Sequence, residues 1–383
     1  MPEIHRVCVV GAGAIGSLLV GHIGALPDVE MTVLVRREGH AEDLNREGLK
    51  VTGKSSLRAS VLASIEPANL GDVDLVILAT KTTAVEASVK KMQGHFPNAT
   101  VMMIQNGLGC EKVVREYGEW PIISGLTFMS GVRRSDTHVD YELDTPTWIG
   151  PWDAESDRPG YGQIKQVEAL INRSGLICEA YEDLRPVQWS KLIFNSSVNA
   201  IGAVTNTPHA PFYADTAHLA DLGNLVHDMM TEGVAIAKAK GIELSSDPWA
   251  MNCKAVSQGG SHGGDVYAHV TSMLDDVRNR SYTEVDWITG SIVRAAREAG
   301  VPAPIHETLY RLVKGIETGW EFNARYHMTA SDMETLSMQE LLDMADDDTR
   351  QAWDSLRLGY TETFGRPTLR RAIADTYERI GEA

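Results

Sequence analysis

The sequence predicts an α/β domain built on a parallel sheet, then an all-α helical domain and a short helical C-terminal extension. Three observations lead to this prediction. A glycine-rich turn lies between a strand and a helix near the N-terminus, short apolar runs recur through the first part of the chain, and apolar residues at three- and four-residue spacing dominate afterwards. We place the domains at residues 1–186, 187–320 and 321–383.

The composition limits the classes of protein to which the chain can belong. Its 383 residues include 35 lysines and arginines against 52 acidic residues, a formal net charge of −17, which disfavours nucleic acid as a partner. No apolar run reaches the roughly 18 residues that a membrane span requires, and the first one, residues 7–10, enters glycines without a signal-peptide cleavage pattern. We therefore expect a cytoplasmic protein with no membrane partner.

The cysteines and histidines do not indicate a redox or metal site. The four cysteines have no C-x-x-C spacing, so we expect reduced, structural thiols. No cluster of His, Cys, Asp and Glu has the spacing of a structural zinc site, and His262, in a glycine-rich stretch, is more simply a loop residue. No metal is predicted.

The N-terminal glycine turn is the strongest local motif. Residues 6–10 have the pattern of a buried strand, residues 17–26 that of a helix, and between them stands Gly11-Ala12-Gly13-Ala14-Ile15-Gly16. This is the G-x-G-x-x-G fingerprint of a Rossmann-type dinucleotide-binding domain in its strand–turn–helix context. Gly11 allows the tight turn, Gly13 lets the backbone approach a pyrophosphate, and Gly16 allows close packing of helix on strand. We therefore expect these six residues to bind a dinucleotide.

Two arginines indicate which dinucleotide is bound. The second strand, residues 31–35, ends in Arg36 and Arg37, where an NAD-binding fold usually carries an acidic residue for the ribose hydroxyls. Because an arginine there can pair with a 2′-phosphate, we predict NADPH/NADP⁺ as the cofactor, with Arg36 ahead of Arg37. The alternative is two solvated arginines after a strand, which the neighbouring Glu38 slightly favours.

Two further polar residues follow apolar runs of the first half. Lys81 comes after the run 73–79, and Asn106 after the run 100–104. Ligands in open α/β sheets lie at the carboxyl ends of strands, so both are candidate site residues. The alternatives are a surface lysine that starts a helix and an asparagine in an Asn-Gly turn. Residues 125–151 then alternate in short runs, from which we expect antiparallel edge strands that close the domain.

From about residue 161 the pattern turns helical, and one helix carries a polar stripe. Lys191, Asn195 and Asn199 are four residues apart within the otherwise apolar segment 189–201. A lysine with two amides suits a substrate that has a carbonyl and a carboxylate. The alternative is the solvated face of an amphipathic helix, although such faces usually carry several charges and asparagine is a poor helix former.

The chain resembles the ketopantoate reductase (2-dehydropantoate 2-reductase) family. The match spans residues 4–317 in the family's order and spacing; it comprises the glycine turn, Lys81, residues 105–107, the Lys191 helix and residues 271–286. The resemblance implies NADPH-dependent reduction of a small-molecule 2-oxo acid to the 2-hydroxy acid, on a Rossmann domain joined to a helical domain.

The resemblance also implies roles for single residues. By position in the motifs, Lys191 would be the general acid and Glu284 its partner in the cleft, where it also faces the cofactor. The substrate ligands would be Asn195, Asn199 and Ser272. Lys81 and Asn106 would hold the cofactor side and assist with the substrate.

The chemistry of ketone reduction independently favours such residues. Hydride delivery builds negative charge on the ketone oxygen, and an ammonium buried in a cleft can stabilise that charge and then protonate it, especially if desolvation lowers its pKa. Glu284 would oppose that shift while orienting the amine. The alternative for Glu284 is structural, because residues 281–284 fit the S-x-x-E capping box of a helix.

One position departs from the family pattern. His269 stands where the family commonly has an asparagine that contacts the substrate. Another 2-oxo acid, or an imine, is therefore an alternative substrate to ketopantoate. A non-catalytic protein that senses NADP(H) is an alternative of another class, but the set around Lys191 argues against it.

The C-terminal extension has a different character. Residues 331–348 contain seven acids and no lysine or arginine, and residues 331–334 and 358–374 resemble the opening segment of a fold-type I aminotransferase. No Schiff-base lysine can be assigned, so we predict no pyridoxal phosphate chemistry. The extension is then either a remnant of a reductase–aminotransferase fusion or an arm for oligomerisation, as in a homodimer, or for docking a partner.

Overall fold

The computed structural model describes residues 4–152, 159–216, 221–258, 268–321, 338–355 and 367–375. The chain divides into two compact units, Met1–Ala324 and Arg325–Ala383. The first unit contains every described strand and the helices that pack around them. The described part of the second contains three short helices. His262 and Thr329 lie outside the described residues, as do most of the acidic stretch and most of the aminotransferase-like segment.

Twelve strands of the first unit form two sheets. In chain order they are β1 (Arg6–Val10), β2 (Glu30–Leu34), β3 (Leu49–Gly53), β4 (Leu57–Ala59), β5 (Leu62–Ser64), β6 (Leu75–Leu78), β7 (Thr100–Met103), β8 (Ile122–Thr127), β9 (Ser130–Ser135), β10 (His138–Leu143), β11 (Thr147–Pro151) and β12 (Cys178–Ala180). The main sheet has the order β12-β11-β8-β7-β6-β1-β2-β5. Its six strands from β8 to β5 are parallel, and β11 runs antiparallel to β8.

The apolar runs of the parallel strands follow from burial on both faces of the main sheet. Val9 and Ile77 belong to the core on one face, whereas their neighbours Val10 and Leu78 belong to the core on the other. Successive side chains of a strand point to opposite faces, so a strand covered on both sides is apolar throughout. The predicted α/β domain with a parallel sheet is confirmed.

The prediction of antiparallel edge strands from residues 125–151 is only partly right. β11 is antiparallel, but β8 is a parallel strand, and β9 and β10 leave the main sheet to form a second sheet of order β4-β3-β10-β9. Alternation of polar and apolar residues predicts a strand with one exposed face and carries no information on which strand pairs with it. The edge strand on this side of the main sheet is instead β12, which lies within the stretch that we expected to be helical.

Eleven helices of the first unit cover the sheets and build the second half of the unit. They are α1 (Ala14–Ile23), α2 (Glu38–Glu47), α3 (Val85–Met92), α4 (Cys110–Tyr117), α5 (Tyr161–Arg173), α6 (Arg185–Thr205), α7 (Asp221–Ala239), α8 (Pro248–Gln258), α9 (Ser272–Arg278), α10 (Thr289–Ala299) and α11 (Pro304–Glu321). The 21-residue α6 is central to the helical half and packs against α7 to α11. Its Ile193 and Ile201 are fully buried in the core that these helices share.

In the second unit, the described residues form α12 (Met338–Asp343), α13 (Asp347–Asp354) and α14 (Pro367–Ala374). The Asp346 side chain caps α13 by accepting a 2.8 Å hydrogen bond from the Thr349 N–H. Leu369 and Ile373 on α14 are 58% and 52% exposed. No helix in the described parts of either unit combines the length and the apolar character needed to cross a membrane.

Candidate active site

The glycine turn has the geometry that each of its glycines was expected to provide. Gly11 has a φ of +95°, a left-handed conformation that favours glycine, and its N–H donates to the Leu34 carbonyl over 3.0 Å. A Cβ on Gly16 would collide with the Gly11 carbonyl oxygen, so α1 can lie this close to the turn only with glycine there. Around Gly13, the N-cap of α1, a Cβ would meet no described protein atom within 4 Å. The helix N-terminus therefore opens onto free space at Gly13, as a pyrophosphate site requires.

Buried polar atoms without partners lie beside this turn. Among the described residues, Thr80 Oγ1 and Gln105 Oε1 have no hydrogen-bond partner. Thr80 directly abuts the turn, because a Cβ on Gly11 would lie 2.7 Å from its Cγ2. Buried polar groups are normally paired, since an unpaired one costs about 1–3 kcal/mol. A polar ligand in the cleft would supply the missing partners, so the residues present fit a dinucleotide.

The two arginines after β2 have different surroundings. Arg37 pairs with Asp136 at 2.6 Å between Nη2 and Oδ2. Arg36 is exposed and forms no ion pair with the described residues. The Arg36 guanidinium is therefore available to a ligand, and its preference over Arg37 stays a prediction.

Lys191 is buried where the two halves of the unit meet. It lies in the middle of α6, and its Nζ donates to Asn106 Oδ1 over 3.0 Å and to the Thr127 carbonyl oxygen over 2.5 Å. The same Nζ is 5.0 Å from the centroid of the Phe128 ring. Burial lowers the pKa of Lys191 to about 8, although the negative charge of Glu284 acts in the opposite direction. The ammonium is therefore held in place but is more acidic than an ordinary lysine.

Asn195, but not Asn199, is among the residues of the polar stripe on α6 that line a cavity with Lys191. Asn195 is half-buried, and Asn199 is buried with 7% exposure. Gln105, Asn106, Lys191 and Asn195 line one small cavity together with Gln188, which the sequence analysis missed. Gln188 lies three residues before Lys191 and so on the same face of α6, which is the signal that would have found it.

Glu284 does not form the helix cap that was the structural alternative for this residue. Helix α10 begins at Thr289, so residues 281–284 do not form the capping box of that helix. Glu284 Oε1 instead accepts a 2.9 Å hydrogen bond from the backbone N–H of Thr82, just after β6. No hydrogen bond or ion pair joins Glu284 to Lys191 among the described contacts. The negative charge of Glu284 nevertheless raises the pKa of Lys191, against the effect of burial, which is the direction that the sequence analysis expected.

Lys81 forms an ion pair that the sequence did not indicate. Its Nζ pairs with Asp276 on α9, whose carboxylate is buried. Burial raises the pKa of Asp276, and the Lys81 ammonium partly offsets this effect. The sequence could have indicated Asp276 as a site residue only through its position four residues after Ser272, on the same face of α9.

Two predicted substrate ligands, Ser272 and His269, lie on or just before α9. Ser272 is the exposed first residue of α9, whose N-cap is Thr271. His269 forms a two-hydrogen-bond backbone bridge with His209, with both N–H to O distances 2.8 Å. Among the described residues, neither Ser272 nor His269 forms a hydrogen bond with Lys191, Asn195 or Asn199.

Metal-ligating residues are not clustered in the described parts of the chain. No group of three or more His, Cys, Asp and Glu side chains there has an arrangement that could hold an ion. The four cysteines are unpaired thiols, of which Cys8, Cys110 and Cys178 are buried.

Comparison with known proteins decides the family. Residues 7–154 match the family model described as ketopantoate reductase PanE/ApbA, and residues 183–317 match the model of its C-terminal part. This chain belongs to the ketopantoate reductase family. It is accordingly an oxidoreductase, as the resemblance implied.

Curated relatives of this family cover most of the chain. The 2-dehydropantoate 2-reductase of Pyrococcus horikoshii is 28% identical over 313 residues, 82% of this chain and 98% of the relative. That of Archaeoglobus fulgidus is 26% identical and covers 83% of this chain and 99% of its own length. The chain thus matches nearly the whole length of these relatives.

Solved structures share the fold. A PanE/ApbA family ketopantoate reductase from Ralstonia eutropha has a TM-score of 0.70 and 24% identity over 82% of this chain and 99% of its own. A D-mandelate dehydrogenase bound to NADH and anilino(oxo)acetate has a TM-score of 0.70 and 20% identity, with the same coverage. Members of the ketopantoate reductase family use NADPH, in agreement with the nicotinamide dinucleotide that the sequence predicted.

Proposed function

We propose that this member of the family reduces a 2-oxo acid to the 2-hydroxy acid with NADPH, with ketopantoate as the first candidate substrate and Lys191 as the general acid. The observation that supports this most is the buried Lys191 ammonium, held by Asn106 and Thr127 in a cleft beside the carboxyl ends of β7 and β8. When bound, the cofactor supplies a hydride to the carbonyl carbon of the substrate.

Lys191 would then handle the charge and the proton at the carbonyl oxygen. As the carbonyl carbon accepts the hydride, its oxygen becomes negative, and the Nζ ammonium stabilises that charge and transfers a proton to it. A pKa of about 8 keeps most of the amine protonated at neutral pH while making it a better acid than a solvated lysine. The neutral amine then regains a proton from solvent.

The amides around Lys191 would orient it and the substrate. Asn106 accepts a hydrogen bond from Nζ and leaves two amide N–H groups for the substrate. Asn195 and Asn199 lie one and two helical turns further along α6, so they present donors for a carboxylate beside the ammonium. Ser272, exposed at the start of α9, is the third candidate ligand of that carboxylate.

The preference for NADPH depends on Arg36. This residue follows β2, where adenosine ribose binds in Rossmann folds, and it forms no ion pair with the described residues. A guanidinium there would pair with a 2′-phosphate. Lys81, Asn106 and Glu284 stay candidates for contacts at the nicotinamide end.

The first experiment is NADPH oxidation against a panel of 2-oxo acids that includes ketopantoate, with NADH in parallel. Turnover of ketopantoate with NADPH is the expected result. If only another 2-oxo acid is turned over, the proposed reaction stands and that acid replaces ketopantoate as the proposed substrate. A panel without turnover, despite tight NADPH binding, would contradict the proposed reaction and favour an imine substrate or a cofactor-sensing protein.

A second candidate substrate is a 2-oxo acid with an aromatic side chain. The half-buried rings of Phe128 and Phe194 are 5.9 Å apart and edge-on, and Phe128 lies against Lys191. Phe194 in turn contacts His209, the residue that His269 pairs with through the backbone. Aromatic rings prefer such edge-to-face partners. A higher kcat/KM for phenylpyruvate than for ketopantoate would support this candidate, and the reverse order would exclude it.

A further inference from the structure

Two arginines from different elements, Arg37 and Arg133, share one carboxylate beside the end of β2. Asp136, in the turn between β9 and β10, accepts hydrogen bonds from Arg37 Nη2 at 2.8 and 2.6 Å, one to each carboxylate oxygen. Arg133, on β9, pairs with the same carboxylate through its own Nη2, and its Nε donates to the Ser135 carbonyl over 3.1 Å. One carboxylate thus holds two guanidinium groups from different elements.

The charges at this point do not balance. Arg37 and Arg133 bring two positive charges to the single negative charge of Asp136, and Arg36 adds a third one residue before Arg37. Of the acidic residues on this side, Glu38 is exposed and Asp43 on α2 pairs with Arg46. The nearby His40 adds none: burial, and then Arg133 and Arg37, lower its pKa to about 4, although Asp43 acts in the opposite direction. Its Nε2 lies 3.0 Å from the Asp136 carbonyl oxygen. Guanidinium groups this close repel each other, so a bound dianion would offset the excess.

Arg134, the next residue on β9, has a carboxylate partner of its own. Arg134 pairs with Asp140 at 2.5 Å between Nε and Oδ2, with one charge of each sign. Arg133 and Arg37 instead share an acceptor. Among the described residues, the Nη1 atom of neither has an acceptor, so each retains N–H donors for a further ligand.

We propose that Arg133 and Arg37, held by Asp136, form with Arg36 a three-arginine site for the 2′-phosphate of NADP(H). The second sheet would then select the cofactor together with β2. Guanidinium groups match phosphate oxygens in paired geometry, and Asp136 fixes two of the three before the ligand arrives. This proposal rests on the proposed preference for NADPH and adds Arg133, a residue far from the glycine turn in sequence.

The test is the binding of adenosine fragments to the full chain by titration calorimetry. Adenosine 2′,5′-bisphosphate carries the 2′-phosphate, and 5′-AMP lacks it. We expect Arg133→Ala to weaken the bisphosphate by about tenfold or more, as for loss of a charged hydrogen bond, and to leave 5′-AMP within about twofold. Arg133→Lys should recover part of the loss. Arg134→Ala, on the same strand, is the matched control and should change neither affinity.

The outcomes distinguish the proposed role of Arg133 from the proposed preference for NADPH. If Arg36→Ala weakens the bisphosphate and Arg133→Ala does not, the role of Arg133 is wrong while the NADPH preference stands. Equal loss of both ligands in Arg133→Ala, with a lowered melting temperature, would show a structural role and also overturn the proposal. If the unmutated chain binds both fragments equally, the NADPH preference itself fails.

Discussion

The carboxylate of Glu284 accepts a hydrogen bond from the backbone N–H of Thr82, with 2.9 Å between Oε1 and N. Glu284 belongs to the helical half and Thr82 to the turn after β6, so this bond joins the two halves beside the cleft. The adjacent Lys81 makes a second such link through Asp276. Glu284 can therefore act on Lys191 through its charge without touching it.

Replacing the proposed general acid should abolish most turnover. In Lys191→Ala, no ammonium remains at the carbonyl oxygen, and we expect kcat to fall by about 10²- to 10⁴-fold. Affinity for NADPH should stay within a few-fold, as measured by fluorescence titration. Lys238→Ala, on α7, is the control. A retained kcat in Lys191→Ala would remove the assigned role.

The rate of reduction should depend on pH through Lys191. Its pKa is lowered to about 8, and only the protonated amine can donate, so kcat should fall as pH rises through about 8. In the reverse direction, alcohol oxidation needs the neutral amine and should rise over the same range. In Glu284→Gln the charge that raises this pKa is absent, so the break should move to lower pH. A profile flat to pH 10 in both proteins would contradict the assignment.

Two glycines of the turn should respond differently to alanine. Gly16→Ala places a Cβ against the Gly11 carbonyl oxygen, so we expect it to lower the free energy of unfolding by about 1–3 kcal/mol. Gly13→Ala meets no described protein atom within 4 Å and should leave the melting temperature unchanged. The same Cβ would occupy the space of a pyrophosphate, so NADPH binding should weaken by about tenfold or more. Unchanged affinity in Gly13→Ala would place the pyrophosphate elsewhere.

Removing Lys81 or Asp276 from their ion pair should lower the free energy of unfolding by different amounts. Asp276 is buried while the Lys81 side chain is 55% exposed. Lys81→Ala leaves a buried carboxylate without its cation and should cost about 1–2 kcal/mol, whereas Asp276→Asn leaves an exposed lysine and should cost less. Urea unfolding of both variants measures the difference. Equal losses would mean that the carboxylate finds another partner.

A buried group in the helical half should make the protein sensitive to acid. The Nδ1 of His306 lies 2.8 Å from Glu232 Oε1, its Nε2 lies 3.1 Å from Ser196 Oγ, and the ring is fully buried. Burial lowers the pKa of His306, although Glu232 raises it in part. Although burial alone would raise the pKa of Glu232, the bonds from His306 and two backbone N–H groups lower it.

The lowered pKa values of His306 and Glu232 both make the folded protein less stable as pH falls. A histidine whose folded pKa is depressed stabilises the fold above its unfolded pKa of about 6.5 and loses that contribution as pH falls. Glu232 contributes above about pH 4.3 and loses its contribution below. We therefore expect the melting temperature to fall from pH 7 to pH 5, and His306→Gln to reduce that fall. The exposed His227 provides the control, and an equal slope in His306→Gln and His227→Gln would contradict this origin.

Several features of the site could be predicted because their signals are local. The glycine turn lies within six residues, each buried strand is a short apolar run, and the Lys191 stripe repeats every four residues along one helix. Such patterns depend on φ/ψ preferences and on which face of a single element is buried. The Rossmann-type half, the helical half and the cleft position of Lys191 and Asn106 follow from them.

Other features depended on contacts between distant segments. The pairs Lys81–Asp276 and Thr82–Glu284 join residues 195 and 202 positions apart. The Thr127 carbonyl that binds Lys191 belongs to the backbone, so no residue type marks it. Likewise, β9 and β10 read as strands in isolation, but only the packing of the second sheet decided their partners.

The sequence by itself determined the parallel-sheet domain, its dinucleotide turn and the helix that carries Lys191, because each is encoded by residues close in the chain. Only the tertiary structure decided that Glu284 binds Thr82, that Asp276 holds Lys81 and that Asp136 gathers Arg37 and Arg133. Such pairings depend on which loops and strand ends meet in space, and residue spacing along the chain does not encode that.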